Sequence, residues 1–281
     1  MDYSSDSEKR NLSKNMIKKI KEKYTPQVTH IVLPYIILTA LLLPFYNINW
    51  VAVVFFMFIF GIIGNGVAGH RLIAHRQFNP ADWVRSILYL LCTIAAFAPT
   101  WYWRAQHWHH HKYADEKIDV HSPKHAGLWD SFFGWALKQK YVKTVLRTEK
   151  ASLRESLNDV RLKFYLENNY KVIWCFLILL GLISPALVLS YFVYYWIEII
   201  RLGTITSLAH MNVPFSYRNF ETKDLSKNNL LLGYLTFGFG WHNNHHAHPK
   251  LLDTQVKWWE FDLEAKVAKL INSIPGKRLN A

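Results

Sequence analysis

The chain predicts an all-α integral membrane protein, four transmembrane helices in two hairpins with a cytosolic helical cap that holds a histidine-rich metal site. Three observations predict it. Hydrophobic residues make up 51% of the 281 and are gathered into long blocks without charge. Most of the 14 histidines stand in three short boxes that flank those blocks. The net charge of +13 is carried mainly outside the blocks.

Residues 31 to 69 contain no charged side chain, and Asn47-Ile48-Asn49 interrupts them. At about 20 residues per span, this predicts a hairpin of helices over about 30 to 46 and 50 to 69. A second uncharged stretch begins at Val172 and continues past Glu198 and Arg201 to His210, with Ser184-Pro185 marking its turn. It predicts spans over about 172 to 188 and 190 to 209. Ser86 to Trp103 is also uncharged, but a crossing there would put the second histidine box across the bilayer from the first. It is therefore read as an interfacial helix over about 84 to 98, ended near Pro99.

Residues 104 to 171 and 211 to 281 make the cap. Between Gly127 and Val142, the mixture of Trp129, Phe132, Phe133, Trp135 and Leu137 with charges suits a helix on the membrane surface. In the tail, Val256, Trp259, Leu263, Val267 and Leu270 recur at helical spacing, with Asp253 and Thr254 as caps and Pro275-Gly276 as the stop.

Charge placement gives the orientation. Lys9, Arg10, Lys14, Lys18, Lys19, Lys21 and Lys23 precede the first span, whereas the hairpin turns carry no Lys or Arg. Both termini and every box are expected in the cytoplasm. An anionic carrier or headgroup docking on the basic face is the sharper reading of the same charge. No nucleic-acid partner is expected. The N-terminus is polar, with no cleavable signal pattern. Cys92 and Cys175 lie in apolar segments, expected as packing residues.

The boxes are His70-Arg71-Leu72-Ile73-Ala74-His75, His107-Trp108-His109-His110-His111 and His242-Asn243-Asn244-His245-His246, with a lone His210. On a helix, positions i, i+3 and i+4 share a face. His107, His110 and His111 are thus expected to converge on one point, as are His242, His245 and His246, with His109 pointing away. Five residues at about 100° each carry His75 off the face of His70. Either the helix loosens there, or the two serve different metals. This many imidazoles exceeds one zinc site, and imidazole also suits iron and copper. A site beside lipid that acts on unreactive C–H bonds favours two irons. Asp115, Glu116 and Asp119 can accept the outer N–H of ligand rings.

With AGHRLIAHR at 68 to 76, HWHHHKYADEKIDVHSP at 107 to 123, SLAH at 207 to 210, GWHNNHHAHP at 240 to 249 and Trp258-Trp259-Glu260-Phe261-Asp262, the chain resembles the membrane fatty acyl desaturases of the Δ9 acyl-CoA type and their bacterial relatives. The resemblance implies two iron ions held by His70, His75, His107, His110, His111, His210, His242, His245 and His246. It implies dioxygen as co-substrate and a bent tunnel for the acyl chain. The substrate would be a fatty acyl thioester, on CoA or acyl carrier protein, or a lipid acyl chain. A separate ferredoxin or cytochrome b5-like donor would supply electrons. Thr206 stands where acyl-CoA enzymes commonly place an Asn that supports a metal-bound water, and Phe239 where close relatives have an acid.

Other residues carry weaker expectations. His109 and His248 are out of phase with the ligands. His121 and His125 could reach the substrate headgroup, and Trp101, Tyr102 and Trp103 could line the tunnel. His30 is expected at the interface. Arg71 and Arg76 fit snorkelling or phosphate binding equally. Hydroxylation or alkyne formation on the same scaffold is the alternative chemistry. A metal transporter or zinc hydrolase is more distant, because transporters place polar ligands near the midplane.

Overall fold

A computed structural model describes residues 31–95, 100–135 and 138–278. The basic N-terminal segment, His30 and Leu137 lie outside the described residues. Helix α1 (Leu33–Leu42) is followed by α2 (Trp50–Phe56), which runs on unbroken as a π-helix, Met57–Ala74. Next come α3 (Asp82–Ala95), α4 (Thr100–Tyr113), α5 (Gln139–Thr148) and α6 (Lys150–Asn158). The long pair α7 (Val160–Ile183) and α8 (Pro185–Leu208) precedes a two-residue antiparallel ribbon. Its strands are β1 (Ser216–Tyr217) and β2 (Asn228–Asn229), with Ser216 opposite Asn229. Three short helices close the chain, α9 (Leu230–Leu235), α10 (His242–Ala247) and α11 (Leu263–Ser273).

Local chemistry sets the turns. Asn49 caps α2 by accepting the Ala52 N–H at 3.1 Å. Ser184 accepts the Ala186 N–H at 3.3 Å, and Pro185 follows it at the first helical position. The two long helices therefore part at Ser184, a few residues before the limits of the expected spans. The Asn49 N–H also donates to Ser190 Oγ at 2.9 Å, which brings the α1–α2 turn beside the start of α8. Both hairpin turns share one end of the bundle. The far ends of the π-helix and α8, which carry His75 and His210, consequently lie together at the other.

Tyr35, Phe56, Phe60, Tyr191, Phe192 and Tyr195 fill the space between α1, α2 and α8, with the Tyr35 ring 4.6 Å from that of Tyr195. The outer faces are also apolar. Val51 and Leu182, about 80% exposed, head a belt with Ile36, Phe45, Val54 and Ile178, an area far larger than soluble proteins leave uncovered. Among the described residues, two helices are long and apolar enough to cross a membrane, Trp50–Ala74 and Pro185–Leu208. Helix α1 has only ten residues, and α7 carries Arg161, Lys163, Glu167 and Lys171 in its first half. The third expected span is thus the apolar end of a helix that starts at Val160.

A buried ionic cluster locks the tail onto the bundle. Arg71 binds Asp262 at 2.8 Å, and Arg201 binds Glu198 at 2.8 Å and Glu264 at 3.1 Å. Three acids against two bases leave one excess negative charge, and burial pushes the Glu264 carboxyl well above the usual carboxylate range. The close fit depends on Gly66, where a Cβ would come within 2.2 Å of that carboxyl.

Three expectations fail here. The tail helix begins at Leu263, capped by Asp262, rather than after Asp253 and Thr254. The intervening chain stays irregular because Glu260 accepts the Val256 and Lys257 N–H groups, and Asp262 accepts from Thr254. No single surface helix runs from Gly127 to Val142: a one-turn π-helix, Asp130–Gly134, turns Phe132 and Trp135 inward. Cys92 is a buried packing residue, but Cys175 is exposed.

Candidate metal centre

Four segments deliver imidazoles to one end of the bundle. His70, His75, His107 and His245 form one group, and His110, His210, His242 and His246 a second; within each, the ligand atoms lie within 4.8 Å of one another. His111 adjoins the first group, with its Nε2 3.1 Å from that of His107 and 3.0 Å from that of His245. Nitrogens bound to one ion at about 2.1 Å and at right angles stand about 3 Å apart. Here the closest Nε2 pairs are 2.7 Å for His75 and His107, 3.1 Å for His70 and His245, and 3.0 Å for His210 and His242. The Nε2 atoms of His110 and His246 are buried with no hydrogen-bond partner among the described residues. Metal ions would satisfy orphaned nitrogens that converge in this way, so the donor set fits two metal ions.

The spacing now has a physical reading. The His75 N–H bonds to the His70 carbonyl at 3.0 Å, an i→i+5 contact. The helix does loosen, and that winding puts His70 and His75 in one group. The second and third boxes do not each converge on one point. In each, the i and i+4 residues stay together, His107 with His111 and His242 with His246, while the i+3 residue, His110 or His245, crosses to the other group. Each box therefore spans both groups and ties them into one unit. Helix α10 has only six residues, and its asparagines hold it. Asn243 Oδ1 accepts the Asn219 and Phe220 N–H groups at 2.9 Å. Asn244 binds Asn228, Thr254 and Glu260.

Carboxylates orient the second group. His110 Nδ1 lies 3.1 Å from Asp119, His210 Nδ1 2.8 Å from Asp115, and His246 Nδ1 2.9 Å from Asp224. In the first group, the Nδ1 atoms of His70 and His245 have no partner among the described residues. Burial holds the pKa values of His107, His111, His242 and His245 well below the usual histidine range, with His75 at about 3 and His246 at about 4. The rings are thus neutral, which is the metal-binding form. Burial depresses His110 as well, but Asp119 more than offsets it and raises the pKa. Glu116 is exposed and orients no ring. Asp224, which the sequence reading passed over, takes the third place. It stands 22 residues before its partner, a separation that matches no local pattern. Asp224→Asn is expected to weaken metal binding in the second group about 10- to 100-fold, read by titration against a competing chelator. An unchanged affinity would rule out an orienting role.

The remaining residues divide cleanly. His109 uses both ring nitrogens, on Thr148 at 2.9 Å and the Ile118 carbonyl at 2.8 Å. His248 is exposed with its ring against Phe220, and His125 is exposed. His121 is buried 5.4 Å, ring to ring, from His110, and burial lowers its pKa to about 3. The Trp101 side chain lies outside the described residues, whereas Trp103 stacks on His107 at 5.1 Å. A cavity of about 40 Å³ runs beside the metal groups, walled by Trp103, His121, Phe132, Trp135, Thr206 and Phe239 and reaching His107, His110 and His242. Thr206 Oγ1 donates to the Ser131 carbonyl at 2.9 Å, so its hydroxyl is spent on the wall. Phe239 covers the His70 ring at 4.4 Å. Arg71 lies in the buried ionic cluster, and Arg76 pairs with Glu155 at 2.6 Å.

Residues 48–269 match the family model described as fatty acid desaturase. The chain is 31% identical to the sn-1 stearoyl-lipid 9-desaturase of Synechocystis sp., over 90% of this chain and 79% of that protein. It is 29% identical to Delta-9 acyl-lipid desaturase 2 of Arabidopsis thaliana, over 84% of this chain and 76% of that one. A third relative, 29% identical over 74% of this chain and 69% of its own length, is the hex-5-enoyl-[acyl-carrier protein] acetylenase of Moorena producens. Paired imidazole groups beside an apolar cavity and a family match across most of the length lead to one conclusion: this chain is an oxidoreductase that belongs to the fatty acid desaturase family.

Proposed function

We propose that the protein inserts a cis double bond, at Δ9, into a saturated acyl chain, using two irons, dioxygen and electrons from a separate ferredoxin or cytochrome b5-like donor. The observation that carries this reading is the shared wall: His107, His110 and His242 belong both to the metal groups and to the lining of the apolar cavity. An acyl carbon held in that cavity lies against the metal ligands. His70, His75, His107, His111 and His245 would hold one iron, and His110, His210, His242 and His246 the other. Bound iron would supply dioxygen activation and the oxidising power for C–H cleavage. Overall, two hydrogens leave adjacent carbons and, with two electrons and two protons from outside, dioxygen becomes two waters.

The chain's own residues position and protect. Phe132, Trp135 and Phe239 give the acyl chain an apolar wall, and the shape of that wall fixes which carbons face the ligands. Phe239 and Trp103 cover the His70 and His107 rings against water. Asp115, Asp119 and Asp224 keep a proton on Nδ1 of their histidines and leave Nε2 free to bind. The substrate would be a lipid acyl chain or a fatty acyl thioester on CoA or acyl carrier protein, and the similarity to two acyl-lipid desaturases and to an acyl-carrier-protein acetylenase supports the first and the last.

Expression in a host without its own desaturase, with a compatible donor, is expected to yield new mono-unsaturated acids, with the bond placed from the carboxyl end by mass spectrometry of derivatised lipids. Hydroxy acids or alkynes would instead support the alternative chemistry, which Thr206, Phe239 and the acetylenase relative keep open. No lipid product from iron-loaded, reducible protein would sink both.

The proposal places four spans in the membrane with the histidines, cap and termini in the cytoplasm. The apolar belt and the shared end of the hairpin turns support it. In a variant lacking Cys175, cysteines introduced at Lys117 and Lys250 should react from the cytoplasmic side and one at Asn47 from the other. Reaction of Lys117→Cys and Asn47→Cys from the same side would overturn the topology.

A further inference from the structure

A basic groove lies behind α4, away from the acyl cavity. It encloses about 870 Å³ between the end of the π-helix, the start of α3, α6 and the start of α7, and shares no lining residue with the cavity. Arg76, Arg85, Arg104 and Arg161 line it, against Glu155 and Asp159. At the rim, Asp82 approaches Arg161 at 3.8 Å, and Arg278 binds the Asn79 carbonyl at 2.7 Å. These two cancel, so four cations against two anions leave a net charge of two.

The pairing inside the groove is incomplete. Arg76 and Arg104 share a single oxygen, Glu155 Oε2, at 2.6 and 2.5 Å. One carboxylate cannot neutralise both. Arg104 is 2% exposed, with its other amino group on Ser156 at 3.1 Å. The Nε atoms of Arg85 and Arg104 have no acceptor among the described residues. They are too buried to touch a ligand, but their charge raises the potential at the groove floor.

The position of the groove selects the ligand. Helix α3 begins at its rim and exposes Trp83, Ile87 and Leu90 along one face. Helix α7 begins there too, with Val160 and Phe164 exposed. Apolar faces that start where a ring of arginines ends match the boundary between headgroups and acyl chains. A phosphate can reach a recessed floor of this kind, and Arg binds phosphate through paired, charge-assisted hydrogen bonds. A protein partner would meet only the rim.

We propose that this groove is a second lipid site, which holds the phosphate of an anionic phospholipid with its acyl chains lying along α3 and α7. The proposal rests on the membrane placement given above and is independent of the reaction catalysed.

The test uses full-length, metal-loaded protein, delipidated in neutral detergent. Thermal unfolding and bound-lipid phosphorus are followed as phosphatidylglycerol, phosphatidylcholine or inorganic phosphate is added. Phosphatidylglycerol is expected to bind saturably and raise the melting temperature, with phosphatidylcholine and inorganic phosphate far weaker. Arg85→Gln with Arg161→Gln should weaken phosphatidylglycerol about tenfold or more, since Arg161 supplies a charge-assisted bond and Arg85 raises the potential at the groove floor. Metal content should stay at the wild-type level, which shows that the variant is folded. Asn158→Asp adds a negative charge at an exposed lining position without removing any contact, and should act in the same direction. Equal binding of phosphatidylcholine, or of inorganic phosphate alone, would overturn the lipid assignment. So would variants that bind phosphatidylglycerol normally but take electrons slowly from an acidic carrier, because the groove would then serve a protein. Failure of desaturation with lipid binding intact would count against the proposed reaction only.

Discussion

His245→Ala is expected to empty the first metal group and abolish turnover, while His109→Ala keeps both metals. His245 Nε2 faces His70 at 3.1 Å and His111 at 3.0 Å, so its loss takes an imidazole from the middle of the group. Removing an outer partner of a ligand typically costs 10- to 100-fold in affinity, and a ligand itself should exceed about 100-fold. The second group keeps all four of its histidines, so a single retained ion is the expected stoichiometry. His110→Ala should give the mirror result. His109 is equally buried, but its nitrogens serve Thr148 and Ile118. Its truncation should cost about 1 to 3 kcal/mol of stability through unpaired polar groups, with metal content unchanged. Metal analysis beside thermal unfolding separates the outcomes, and equal metal loss in all three variants would refute the assignment of two groups.

Gly240→Ala should destabilise the protein by about 3 kcal/mol and disturb the third box. A Cβ at this position would stand 2.2 Å from the Gly233 nitrogen and 2.3 Å from the Leu232 carbonyl carbon. Both are backbone atoms and cannot rotate aside, so the loop must move. The Gly240 carbonyl accepts the Asn229 N–H at 3.0 Å, and Trp241 and His242 follow directly. Displacement therefore reaches the metal ligands within two residues. Gly181→Ala is the control: its Cβ would meet only Val188 Cγ2 at 3.6 Å, and alanine favours the helix. Melting at a fixed scan rate should drop for Gly240→Ala and hold or rise for Gly181→Ala. A stable, fully metallated Gly240→Ala would mean the close approach is not what positions the box.

Much of the site could be read from residue types and local spacing. His109 and His248 were out of phase, and the structure turns them elsewhere. Asp115 and Asp119 could be noticed because they follow the second box within nine residues of His110. Asp224 could not, because the chain folds back over 22 residues to reach His246. Long-range pairing of that kind leaves no local periodicity. The tail helix starts later than its periodicity predicts for a related reason. Apolar residues recur at helical spacing from Val256, but Glu260 captures the Val256 and Lys257 N–H groups and Asp262 that of Thr254, which a helix would need.

By itself the sequence determined the family, the helical class, the apolar segments with their turns at Asn49 and Ser184, and the set of imidazoles. These follow from composition and from contacts a few residues apart. Tertiary structure alone decided how the imidazoles are shared. Spacing offered two explanations for His70 and His75, and π-winding chose one. Spacing also brought each later box to a single point, whereas the tertiary fold sent its i+3 residue to the other group. The acyl cavity, the buried cluster around Arg201 and the basic groove behind α4 likewise exist only because residues more than 50 positions apart in the chain close on one another.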